Sequence, residues 1–224
     1  MSARLVLPDA EAAADLLTFA SRAARVGDGN VRLQGRDGVL VVTAAPIAPQ
    51  TLLEPLPTVL GLRVLPVDPE LECDLVVAAD ALTPALDDPT AVALPTTAVT
   101  AAWAGVSPPR GGWTESARLS AAVLAARAQW GIAAVAEALP PSPGEEIVRS
   151  VRGHVWGAPD DELGGLPRGV AFAAFSLGFV SGEEEAVVRT AGPWTRVTLA
   201  RGHVLSRTTI RAGLTPVRRT GPAS

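Results

Sequence analysis

The chain has 224 residues, 48% hydrophobic and 19% charged, a globular composition that excludes wholesale disorder. The single cysteine, Cys73, excludes an intramolecular disulfide and a cysteine-rich zinc cluster. The formal charge is −4, and all 19 basic residues are arginine, so any motif that needs a lysine is excluded as well.

Arg4 to Leu7 reads as a strand closed by Pro8. Asp9 is a helix N-cap with Glu11 in the first turn, where the helix dipole favours an acid. Leu16, Phe19, Ala23 and Val26 then recur at helical spacing until Gly27 stops the helix. Asn30 to Gln34 and Val39 to Ala44 alternate as strands around Asp37-Gly38, a hairpin signal, so the opening is β-α-β-β. Pro46 to Leu60 has no clear period. Leu62 to Val67, Cys73 to Ala79 and Ala91 to Leu94 are further strand candidates. Gly105 to Gly112 holds five Gly or Pro in eight residues and is read as a linker.

Beyond it, Thr114 is expected to cap a helix to Leu139, with Leu119, Val123, Ala126, Trp130 and Ala133 inward. Ser142-Pro-Gly-Glu145 has the form of a capping box, opening a second helix that ends at Gly157 with Ile147, Val151 and Val155 inward. Pro167 opens a third, with Phe172, Phe175 and Phe179. Ala186 to Thr190 and Thr195 to Ala200 form a hairpin around Ala191 to Trp194. The expected fold class is α+β: an N-terminal β-α-β-β-rich domain followed by a three-helix plus β-hairpin domain. The divisions are 1–106, a mixed α+β domain; 112–210, a helical domain with a C-terminal β-hairpin; and 211–224, a loose basic tail. The helices containing Phe19-Ala20 and Phe172-Ala173 each lead through a glycine turn into a hairpin, an internal echo.

No apolar run reaches the roughly 20 residues of a spanning helix. The N-terminus shows no basic stretch followed by an apolar one. A soluble cytoplasmic protein without membrane association is therefore expected. No phosphate-binding loop, dinucleotide fingerprint or nucleophile elbow occurs. Both histidines, His154 and His203, sit in the tetrapeptide Arg-Gly-His-Val. With Arg152 and Arg201 they form a candidate ligand site for an anion or metal, although a repeated tetrapeptide in so biased a chain is readily coincidental. Cys73, between Glu72 and Asp74, lacks the positive surroundings that a reactive thiolate needs. The acids at Asp87, Asp160 and Glu183 read as solvated turn residues. Trp130 reads as core, whereas Trp113, Trp194 and Arg196 are candidates for partner binding.

Charge is unevenly placed. Residues 1–185 carry 12 arginines and 23 acids, whereas 186–224 carry seven arginines and no acid. A nucleic-acid face is disfavoured all the same, because the third helix has no basic residue after Arg168. The leading expectation is a non-catalytic interaction or regulatory protein with a protein partner (self or other), no cofactor, no catalytic residue and no metal. An enzyme or anion-binding protein centred on the histidines, and nucleic-acid binding through the arginine-rich end, are the alternatives.

Overall fold

A computed structural model describes residues 4–51, 54 and 56–207; the expected basic tail, with Arg211, Arg218 and Arg219, lies outside them. β1 (Arg4–Val6) leads to α1 (Ala10–Ala23), whose Asp9 cap accepts a 2.8 Å hydrogen bond from the Ala12 N–H. Leu16, Phe19 and Ala23 are buried as the spacing requires. Gly27, at φ +59°, turns the chain where a Cβ would lie 2.0 Å from the Ala45 carbonyl oxygen. β2 (Asn30–Arg36) and β3 (Val39–Ile47) then form the expected hairpin, with positive φ at both Asp37 and Gly38. β4 (Thr58–Pro66), β5 (Cys73–Ala78), β6 (Thr83–Pro84) and β7 (Ala91–Ala93) complete the first half. β1, β7 and β6 make a small sheet that holds α1 against the larger one.

The second half departs from expectation at its start. Thr114–Ser120 is a strand, β8, and the helix α2 (Ala121–Ala138) begins only after it, capped by Ser120. The buried stripe of α2 is Ala121, Leu124, Ala128 and Gly131, so Trp130 faces outward at 43% exposure and is not core. Alanine suits either side of a helix, and the run therefore carried no decisive period. α3 (Glu145–Gly157) starts from Gly144. Ser142 sits at φ +58°, two residues before the cap position Gly144, and the helix start has no side-chain cap, so no capping box forms. Val155 and Trp156 are the buried residues of α3, while Ile147 is exposed.

Short strands β9 (Pro159–Asp160) and β10 (Leu166–Pro167) precede α4 (Gly169–Ser176). β11 (Glu185–Ala191), β12 (Trp194–Leu199) and β13 (Gly202–Arg207) follow, the last a strand that sequence reasoning missed. The fold class is α+β. Eight strands form one antiparallel sheet in the order β5-β2-β3-β4-β13-β12-β11-β8. The ladder between β4 and β13, which pairs Leu62 with His203, lies at its middle. The order is symmetrical about that ladder: α1 feeds the meander β2-β3-β4 and α4 feeds β11-β12-β13, matching the echo in the sequence.

Alternation gives the sheet two faces. Leu33, Leu40, Val42, Val188, Val197 and Val204 point to the helices and form the main core with Leu16, Phe19, Phe172 and Phe179. Leu60, Trp194 and Leu205 point the other way and, with Trp103, form a smaller second cluster.

Candidate functional site

That second face is not covered by a helix layer. The chain from Ala101 to Trp113 crosses it instead, leaving a groove of about 1030 Å³. Val39, Val41, Leu60, Leu62, Val64 and Leu205 supply an apolar floor, because they occupy the outward alternate positions of β3, β4 and β13. Val39 and Val64 are exposed. The crossing segment is tethered at two points and braced within itself at a third. The Trp103 indole N–H donates to Asp28 at 2.8 Å, Arg32 donates to the Ala104 carbonyl, and the Trp113 indole N–H donates to the Pro109 carbonyl at 3.1 Å. Arg32 is itself held by two 2.7 Å bonds to Asp74, and that guanidinium keeps the Asp74 carboxyl below its ordinary range.

One end of the groove is cationic. Hairpin register puts Arg189 directly opposite Arg196, and Arg196 opposite Leu205. Like charges paired across strands are unfavourable. Arg189 is relieved by Glu115 at 3.7 Å. Arg196 lies 4.6 Å from the Trp113 ring centroid, and its buried Nε has no hydrogen-bond partner among the described residues. His203 lies on the same face, its Nδ1 3.2 Å from Thr198 Oγ1. Burial, then Arg196, Arg189 and Arg63, hold its imidazole below the usual value, which favours the neutral ring.

Of the residues singled out in the sequence, Trp113, Arg196 and His203 meet in this groove. Trp194 does not: it is 5% exposed and packs with Trp103 and Leu205, because the two-residue turn places it at the start of β12. The expected set of His154, His203, Arg152 and Arg201 is not assembled. His154 is exposed on α3, on the helix side of the sheet, and Arg152 lies 5.7 Å from the Phe172 ring. Arg201 occupies the β12–β13 turn, where its carbonyl accepts from Arg63. No three His, Cys, Asp or Glu among the described residues could hold a metal ion. Burial raises the Cys73 thiol, with Asp74 adding to it against a backbone hydrogen bond at Gly35, as suits an unreactive residue.

Sequence reasoning missed two features. Arg189 was legible only through the hairpin register, which follows once the two-residue turn is assigned. Asp160, read as a solvated acid, is 4% exposed and joins α2 to α4. Its Oδ2 accepts from Arg127 at 2.9 and 2.6 Å and from Arg168 at 3.0 Å, and both guanidiniums flank the Trp130 ring, at 4.7 and 4.5 Å.

The architecture is a sliding-clamp-like α+β fold. It is similar to a DnaN sliding clamp (DNA polymerase III subunit beta) from Bartonella birtlesii bound to griselimycin, at 13% identity and a TM-score of 0.51, covering 96% of this chain and 66% of that one. A DNA polymerase sliding clamp from Caulobacter crescentus matches at 14% identity and a TM-score of 0.46, covering 100% and 70%. The chain thus spans just under two thirds of the Bartonella clamp chain. Residues 1–105 match the family model of a domain of unknown function, DUF8010, and residues 108–211 that of a second, DUF8185. No curated protein matches the chain in sequence. No helix among the described residues is long and apolar enough to cross a membrane.

Proposed function

We propose that the protein is a non-catalytic interaction subunit that docks a segment of a partner protein in the outer groove of its sheet. The observation that carries this reading is the groove itself, with an apolar floor, indole-bearing walls and a tethered strap along one side. Exposed apolar surface framed by polar groups is how protein-docking sites are built. The likeness to a polymerase subunit supports a role as a component rather than as a catalyst. A partner protein is preferred to nucleic acid because the exposed side of α2 holds Ala122, Ala126, Gln129, Ile132, Ala133 and Ala136 and no cation. A phosphate-contacting surface needs cations. The setting proposed is the cytoplasm, where the unpaired Cys73 thiol is ordinary.

Selection from a displayed peptide library tests the docking site. Enriched peptides should carry apolar side chains, and their binding should be lost in Val64→Asp but kept in Ile132→Asp on the helix side. Val64 and Ile132 are both exposed, so neither change threatens folding. No enriched sequence, or equal loss in both variants, would overturn the reading.

We also propose that the chain is organised as two units meeting in 105–112, which the abutting family models support. Mild proteolysis should cut there, where Gly105, Ser107, Arg110 and Gly111 are exposed. The fragments should co-migrate under native conditions, held by the β4–β13 ladder, and separate in denaturant. Resistance of that segment to cleavage would count against the division.

A further inference from the structure

We infer that the Arg196 end of the outer groove is a carboxylate-binding subsite, so that the docked segment is an acidic peptide whose apolar side chains lie on the floor. This rests on the docking reading above and adds the chemistry of its occupant. Arg189 and Arg196 face each other across one hairpin, and the described residues supply a single carboxylate there, Glu115, which bonds Arg189. Arg196 is left with Trp113 against its ring face and with no ion-pair partner among the described residues. Its pKa is lowered, by burial and then by Arg189, as expected of a cation short of counter-charge. A flat indole beneath a guanidinium fixes the plane of the fork and leaves its terminal Nη atoms as the donors for an incoming anion.

The neighbours agree with this assignment. Arg196 pairs with Leu205, which pairs with Leu60, so a carboxylate on Arg196 stands beside the apolar floor. An acidic residue two positions from an apolar one along an extended segment meets that spacing, since alternate side chains share a face. His203, on the diagonal from Arg196 and within hydrogen-bond distance of Thr198, adds an imidazole but no competing negative group. Two of the other groove arginines are already engaged, Arg32 by Asp74 and Arg36 by Asp37, and Arg110 sits on the crossing segment.

The test uses 4-phenylbutanoate and its uncharged amide as probes, followed by NMR of arginine Nε–H and tryptophan indole signals. The carboxylate should shift the Arg196 and Trp113 signals and bind about tenfold tighter than the amide, the scale of one charge-assisted hydrogen bond. That preference should vanish in Arg196→Gln and persist in Arg110→Gln, a groove residue outside the proposed subsite. Equal binding of the two probes, no shift at millimolar concentration, or a preference that survives Arg196→Gln would overturn the subsite. Its failure is separable from that of the docking site. Library peptides that still bind after Glu and Asp are changed to Gln and Asn, yet are lost in Val64→Asp, would leave docking intact and remove the carboxylate.

Discussion

Asp160→Ala is expected to cost about 3 kcal/mol of folding stability, lowering the melting temperature by roughly 6–12 °C. The carboxylate is nearly fully buried and takes three hydrogen bonds from two arginines, while its other oxygen accepts from the Glu162 N–H at 3.1 Å. Removing it strands Arg127 and Arg168 beside each other with no counter-charge. Those side chains are 23% and 24% exposed, so water recovers part of the loss, and the expected value sits at the low end for a broken buried pair. Burial pushes the Asp160 carboxyl up, but the bonds from Arg127 and Arg168 outweigh it and hold the group below its ordinary range. A folded value below the unfolded one means that this stability is fully present above about pH 4 and is lost as pH falls through the folded value. Asp160→Asn should therefore flatten the acid limb of a stability–pH profile while keeping the side-chain volume. A melting temperature for Asp160→Ala within 2 °C of the parent, a window set well inside the roughly 6–12 °C expectation, would show that the cluster is not structural.

Trp156→Ala should cost about 4 kcal/mol, the scale of deleting a fully buried aromatic. The indole is 2% exposed, stacks on Phe172 at 4.4 Å between centroids, and fills the space beside Gly131. A Cβ on Gly131 would come within 2.2 Å of the Trp156 ring, so α2 and α3 approach closely only because that position is glycine. Gly131→Ala alone should then destabilise by about 1–3 kcal/mol through overpacking. In the Trp156→Ala background the same change should become stabilising, by up to about 1 kcal/mol, since the clash is gone and alanine is the better helix former. Chemical denaturation of the four proteins reads this reversal of sign directly. Additive effects would mean that the two residues do not meet.

Much of the first half was legible because its signals are local. Asp9 caps, Gly27 stops, and Asp37-Gly38 turns, each within a few residues of the element it governs. β8 and β13 were not legible for the opposite reason. Thr114 to Ser120 is polar and mostly exposed, and its strand conformation comes from pairing with β11, some seventy residues away. Gly202 to Arg207 lies between two strands that supply its hydrogen bonds, and little in its own sequence marks it. The groove shows the same division. Trp113, Arg196 and His203 were each conspicuous as residue types, but what joins them is the sheet order, which no local pattern encodes. Pairing the histidines by their shared tetrapeptide pointed elsewhere, because sequence identity around a residue does not fix which face of the sheet it reaches.

During synthesis, β4 emerges long before the strand that will lie beside it. Until β13 has left the ribosome, the nascent chain presents β4 as an open edge of nine residues with an apolar side on each face. Such an edge can recruit any other extended segment, including the same edge of a neighbouring nascent chain. Closing the sheet is therefore a late, long-range event, slow by the measure of contact order. Its speed should set how much newly made protein is lost to association before it matures.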